Sequence, residues 1–172
     1  PLLGSPRLPT RPSHARLTGR PNPTTSHPLP TTARARPPRD GAPVTLLLCD
    51  VDLFKRINDQ YGHAVGDEVL VAMAKVLAAN LREGDVLARW GGEEFLALMP
   101  ASPLDAACAT AERIRAAIEQ TPLDVGQAPI ALTMSFGVAQ VHSAEDLQAA
   151  IARADKALYQ SKNAGRNRVS VA

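Results

Sequence analysis

Val86-Leu87-Ala88-Arg89-Trp90-Gly91-Gly92-Glu93-Glu94-Phe95-Leu96-Ala97-Leu98-Met99 reads as two short strands joined at a glycine pair that carries two carboxylates. Adjacent glycines permit positive φ at both central positions of a two-residue hairpin turn, and they let a bulky, charged ligand come close to the backbone. The expectation is a hairpin with Gly91-Gly92 at its tip. Two acids beside that opening fit a metal site, and a plain charged turn fits them too.

Outward from the hairpin the elements follow in a readable order. Val44 to Cys49 is a continuous apolar run, the mark of a strand buried on both faces. Phe54 to Tyr61 can form a short helix stopped by Gly62, and Asp67 to Leu81 places Val69, Leu70, Met73, Val76, Leu77 and Leu81 on one helical stripe. After the hairpin, Ser102-Pro103 offers an N-cap with proline at the first helical position, and Leu104, Cys108, Ala111, Ile114 and Ile118 line one face of the helix that follows. Ile130 to Ala139 reads as a strand. Ser143 with Asp146 caps a helix whose inner face is Leu147, Ile151, Ala154 and Leu158, and Arg168 to Val171 can close the sheet. The order β-α-α-β-β-α-β-α-β predicts a mixed sheet with helices packed on it, an α/β or α+β sandwich.

Composition divides the 172 residues in two. Residues 1–43 hold 11 of the 15 prolines, seven arginines and a single acid, Asp40, whereas residues 44–172 hold 12 basic and 16 acidic side chains. A Pro/Arg/Thr-rich stretch without apolar periodicity buries too little surface to offset its ordering entropy, so most of 1–43 reads as disordered or extended. Its charge fits a solvated tail rather than a nucleic-acid or lipid contact. No apolar run reaches the roughly 18 residues of a membrane span and the N-terminus lacks a signal-peptide core, so a cytoplasmic domain is expected. Cys49 and Cys108 have neither metal-ligand spacing nor a disulfide framework and read as inert core thiols.

The acids at the end of the first strand give the hairpin a partner. Alternation sends Asp50 and Asp52 to the same side at a strand end, where a chain leaving a sheet commonly builds its ligand site. A magnesium ion that binds a nucleotide takes one or two carboxylates plus phosphate oxygens, and a carbonyl such as that of Val51 can add a ligand. An acidic strand-to-helix turn with Asp52 as a helix cap is the competing reading.

Asp50-Val51-Asp52-Leu53-Phe54-Lys55-Arg56-Ile57-Asn58-Asp59, then Gly62-His63-Ala64-Val65-Gly66-Asp67, Arg82-Glu83-Gly84-Asp85 and Arg89-Trp90-Gly91-Gly92-Glu93-Glu94-Phe95 together resemble the diguanylate cyclase family, the GGDEF domains. The likeness runs from about Val44 to the C-terminus and takes in Ala131 to Val138 and Ala154 to Asn167. It implies a palm-like fold related to nucleotidyl cyclase and polymerase palm domains, which joins two GTP into cyclic di-GMP and releases two pyrophosphates. It also implies a homodimer, since each domain holds one GTP. By match to the family's motifs, Asp50, the Val51 carbonyl and Glu93 bind Mg2+ (or Mn2+) with Glu94 alongside, and Glu93 is the catalytic residue that takes the proton. Asn58 and Asp67 meet guanine, Gly91 and Gly92 lie against the nucleotide, and Lys162, Arg166 and the amides of Phe54 and Lys55 meet phosphates. His63 is taken as a structural or pocket-lining imidazole rather than a general base. Arg82 and Asp85, with Arg113 or Arg115 from the next helix, match the family's inhibitory site for cyclic di-GMP.

The types suit the chemistry. Metals lower the pKa of an attacking ribose hydroxyl and neutralise a leaving pyrophosphate. An Asp/Asn acceptor set fits the donor edge of guanine, and adenine would leave it unsatisfied. Each residue also has a plainer reading: Asp67 as an acid near a helix N-terminus, Lys162 and Arg166 as C-terminal helix charges, and Arg82/Asp85 as a solvated helix end.

The N-terminal segment departs from the family. Leu17-Thr18-Gly19 and Asn22 match its opening motif, with Ala15, Arg20 and Pro23 where Asp, Leu and Arg are usual. Pro23, Pro28, Pro30, Pro37 and Pro38 then occupy a stretch that the family makes helical, and each interior proline costs about 3 kcal/mol. The segment therefore reads as degenerate or frame-shifted. Two alternatives to an active cyclase follow from this: a catalytically silent cyclic di-GMP or GTP receptor, and an unstable fragment.

Overall fold

A computed structural model describes residues 41–126, 128–142 and 147–172. The disorder expected of the N-terminal segment, its degenerate helix and the Ser143/Asp146 cap lie outside the described residues, apart from 41–43.

The chain runs β1 (Val44–Val51), α1 (Phe54–Tyr61), α2 (His63–Asn80), β2 (Val86–Arg89), β3 (Glu94–Pro100), α3 (Leu104–Gln120), β4 (Leu123–Asp124), β5 (Pro129–Ile130), β6 (Met134–Val141), α4 (Leu147–Asn163) and β7 (Val169–Val171). Five strands form one sheet in the order β2-β3-β1-β6-β7, and β4 and β5 make a separate ribbon. All pairings in the main sheet are antiparallel except β6 with β7. The mixed sheet flanked by helices is the palm-like architecture expected.

Strand alternation assigns the two faces. Leu47, Cys49 and Val51 of β1 join Phe95, Ala97 and Met99 of β3 and Met134, Phe136 and Val138 of β6 in a core completed by α1, α2 and α3. Leu48 and Ala139 turn the other way, onto Ala154 and Leu158 of α4. Asp50 and Glu94, paired across β1 and β3, continue that α4 face beyond its apolar part. β1 is buried along nearly its whole length, as its unbroken apolar run predicts.

Several expectations are corrected. The strand anticipated over 130–139 is two elements: Pro129–Ile130 pairs with β4, and the sheet strand begins at Met134. The register of β1 with β6 ends at Val51 and Met134, with one further backbone bond from Asp52 N–H to the Thr133 carbonyl at 3.0 Å. The helix anticipated from Asp67 starts at His63, which puts Gly66 inside it; a Cβ at Gly66 would lie 1.8 Å from Asn58 Oδ1. Ser102 caps nothing. Pro103 holds the N-cap position, while the buried Ser102 accepts Thr45 Oγ1 on its carbonyl at 2.7 Å and the Arg82 guanidinium on its hydroxyl. On α4 the inner face is Ala150, Ala154, Ala157, Leu158 and Ser161, and Leu147 is exposed. Both cysteines are free thiols whose pKa burial pushes up, consistent with inert packing.

Candidate functional site

Register builds the hairpin differently from the turn expected. Arg89 pairs with Phe95 and Trp90 N–H donates to the Glu94 carbonyl at 2.8 Å, so the tip is the three residues Gly91, Gly92 and Glu93. Neither Gly91 nor Gly92 has positive φ. Their lack of side chains serves space instead: a Cβ on Gly91 would press against Glu94 Oε2 at 2.8 Å, and a Cβ on Gly92 would stand in open cleft. Arg89 bonds the Gly91 and Gly92 carbonyls, and the Glu93 carbonyl accepts Val51 N–H at 3.2 Å. The hairpin is thus clamped to the end of β1.

Asp50 sits at that end, 5% exposed, and takes the Lys162 ammonium of α4 at 2.8 Å. Burial, opposed by Lys162 and reinforced by Glu93 and Glu94, pushes its pKa up to about 6. Burial also raises Glu94, against the pull of Lys162 and with the push of Asp155 and Glu93. A carboxylate raised from 3.8 to about 6 holds its proton more tightly in the folded chain, so the stability it contributes falls as pH rises through that window. The melting temperature of Asp50→Asn, relative to wild type, should therefore rise between pH 4 and pH 7. Differential scanning fluorimetry reads this, and a constant difference across that range would contradict the raised pKa.

Two adjoining clefts open here. The larger, about 470 Å³, is lined by Phe54, Lys55, Asn58, His63, Asp67, Leu70, Arg89, Gly92 and Glu93. The smaller, about 200 Å³, lies among Asp50, Val51, Asp52, Leu53, Phe54, Lys55, Glu93, Lys162 and Arg166. Phe54, Lys55 and Glu93 border both. Asn58 lines the larger cleft, and its Oδ1 is buried without a hydrogen-bond partner, where such a group ordinarily finds one. Asp67 and His63, both exposed, stand on α2 beside it. Asp67 lies beyond the first turn of α2, so the helix-end reading does not apply to it.

Asp52 is neither a helix cap nor an open ligand. Its carboxylate accepts Thr133 Oγ1 at 2.7 Å, Ser135 Oγ at 2.6 Å and Asn167 N–H at 3.0 Å. The N-cap position of α1 belongs to Leu53, in the left-handed region at φ 55. Among the described residues no three His, Cys, Asp or Glu side chains are grouped to enclose a metal unaided. A magnesium ion completes its shell with phosphate oxygens and water, so a donor set built on Asp50 and Glu93 fits one that arrives with a triphosphate.

Arg82 and Asp85 pair with each other, and neither they nor Arg113 line these clefts. Asp85 accepts Arg82 N–H at 2.8 Å, and its carboxylate is 3.9 Å from the Arg82 guanidinium. Arg113 reaches from α3 to the Asn80 carbonyl at 2.9 Å, two residues before Arg82. Arg115, the alternative to Arg113, is instead tied to Glu112, Glu119 and Asn167. The sequence reading missed Arg89, Leu70 and the partners of Asp52. Nothing local marks them, although an arginine two residues before a glycine pair hints at a carbonyl clamp.

Comparison with known proteins shows the family and the fold. The family model described as diguanylate cyclase, GGDEF domain, matches residues 14–168. Diguanylate cyclase DgcP of Pseudomonas aeruginosa is 46% identical over 138 residues, 80% of this chain and 21% of that protein. Diguanylate cyclase DgcM of Escherichia coli is 48% identical over 128 residues, 74% of this chain and 30% of that protein. The chain thus spans less than a third of the length of these relatives. Among solved structures, the diguanylate cyclase SiaD of P. aeruginosa, in complex with its activator SiaC, is 40% identical with a TM-score of 0.74, covering 78% of this chain and 52% of that one. The GGDEF domain of DgcB from Caulobacter crescentus, in complex with c-di-GMP, is 35% identical with a TM-score of 0.73, covering 76% and 78%. Among the described residues no helix is long and apolar enough to cross a membrane.

Proposed function

The chain belongs to the GGDEF family of diguanylate cyclases, and from that premise we propose that it condenses two GTP into cyclic di-GMP as a cytoplasmic signalling domain. The observation that carries the reading is the unpartnered, buried Oδ1 of Asn58, a residue of the larger cleft, which adjoins the smaller cleft of Asp50, Glu93, Lys162 and Arg166. A ligand with a donor-rich flat edge at one end and a polyanion at the other satisfies both. Guanine N1–H and its 2-amino group meet Asn58 and Asp67, and adenine, which lacks those donors, forfeits roughly 1–3 kcal/mol for each acceptor left unpaired.

The triphosphate lies in the smaller cleft, against Lys162, Arg166 and the backbone at Phe54 and Lys55. Asp50, the Val51 carbonyl and Glu93, with Glu94 alongside, would hold Mg2+ or Mn2+. When bound there, such a cation would lower the pKa of the attacking hydroxyl and neutralise charge on the leaving group. The 3′-oxygen of one GTP bonds to the α-phosphorus of the other, the α–β phosphoanhydride breaks, and pyrophosphate leaves. Glu93 takes the hydroxyl proton. Repeated in the other direction this closes the ring, so turnover needs a homodimer with one GTP in each chain. His63 lines the base pocket. Arg82, Asp85 and Arg113 bind the product and restrain the enzyme.

Incubating the protein with GTP and magnesium and resolving nucleotides by mass spectrometry tests this. Cyclic di-GMP and two equivalents of pyrophosphate are expected, with a rate that falls as product accumulates and a fall that Arg82→Ala removes. A folded protein that binds GTP without turning it over would favour the receptor reading instead.

A further inference from the structure

The second aspartate of Asp50-Val51-Asp52 has three partners and all of them are donors: the hydroxyls of Thr133 and Ser135 and the backbone N–H of Asn167. At 6% exposure, a carboxylate so saturated is an anchor. What it anchors is strained. After α4 ends, Gly165, Arg166 and Asn167 follow one another at φ 114, 65 and 46, and two of these are not glycine. Consecutive left-handed residues persist only where the surroundings over-determine them. Here the surroundings are Ser161, whose carbonyl accepts Arg166 N–H at 2.9 Å, Arg115 and Glu119 of α3, which grip the Asn167 side chain at 2.8 Å each, and Asp52. Asp52 is the member that ties the turn to the end of β1, two residues from Asp50.

We infer that Asp52 is a positioning residue: by holding Asn167 it fixes the left-handed turn that aims Arg166 into the polyanion cleft, while Asp50 serves the cation. This rests on the reading that the cleft receives the GTP triphosphate. The two aspartates divide the labour because Lys162 engages the first, whereas the second faces hydroxyls and an amide it alone can pair.

A double-mutant cycle tests it, with GTP binding measured calorimetrically in calcium, alongside amide exchange at Asn167. Asp52→Asn should weaken GTP about tenfold, the loss of one charge-assisted bond, and speed exchange at Asn167. In an Arg166→Ala background the same substitution should cost almost nothing more. Thr133→Val, which leaves Asp52 in place with one donor fewer, should shift GTP affinity the same way by a smaller factor and serves if Asp52→Asn fails to fold. Additive losses, or unchanged affinity in a folded Asp52→Asn, would overturn the inference and leave the function reading intact. A wild type that binds no GTP would sink the function reading itself, and this inference with it.

Discussion

Glu93→Ala is expected to lower the initial rate of cyclic di-GMP formation about a hundred- to a thousandfold, the usual loss when a group that stabilises developing charge is removed, and to leave the fold standing. Glu93 is half-buried at the hairpin tip and borders both clefts, the position from which the proposed mechanism has it act. Its structural service is through the main chain: the bond from Val51 N–H to the Glu93 carbonyl survives substitution. Removing its charge also takes one push off the raised pKa of Asp50, so no thermal destabilisation is expected. Rate assays paired with circular dichroism decide the matter. A folded variant that retained more than about a tenth of the rate, less than the loss expected for such a group, would move the catalytic role elsewhere.

Gly137→Ala is expected to be the most disruptive single methyl in the molecule. A Cβ there would meet Ala154 O at 2.1 Å, Leu158 N at 2.4 Å and Leu158 Cα at 3.0 Å, all backbone of α4. No side chain can turn aside to make room, so α4 as a body must leave β6. That separates Leu48 and Ala139 from Ala154 and Leu158, and it draws Lys162, one turn further along α4, away from Asp50. Overpacking usually costs 1–3 kcal/mol and occasionally more; with backbone on both sides of the clash, about 3 kcal/mol is expected, together with weakened GTP binding. Urea denaturation measures the first and calorimetry the second. A melting temperature within about 4 °C of wild type, roughly 1 kcal/mol for a domain of this size, would mean the helix stands farther off the sheet than described.

Much of this was legible because it is written in local pattern. The apolar run of β1, the stripe Val69, Leu70, Met73 and Leu77 on α2, and the acids placed where a strand ends are properties of neighbouring residues, and each emerged as read. What escaped the pattern was decided at a distance. The strand anticipated over 130–139 was cut at Met134 because its partner β1 stops at Val51. The hairpin gained a third tip residue because pairing of Arg89 with Phe95 sets its length, whatever two glycines permit. Ser102 and Leu147 were misjudged for the same reason: capping and burial depend on what another element brings to the residue.

The sequence by itself determined the family and the mixed sheet with its helices. Only the tertiary structure decided which distant groups meet at the end of β1. Lys162 stands 112 positions from the Asp50 it engages, and Asn167 115 positions from the Asp52 that holds it. No periodicity reaches that far. Strand register and the seat of α4 against Gly137 bring these groups within hydrogen-bond distance, and that packing gives one aspartate an ammonium partner and its neighbour three neutral donors.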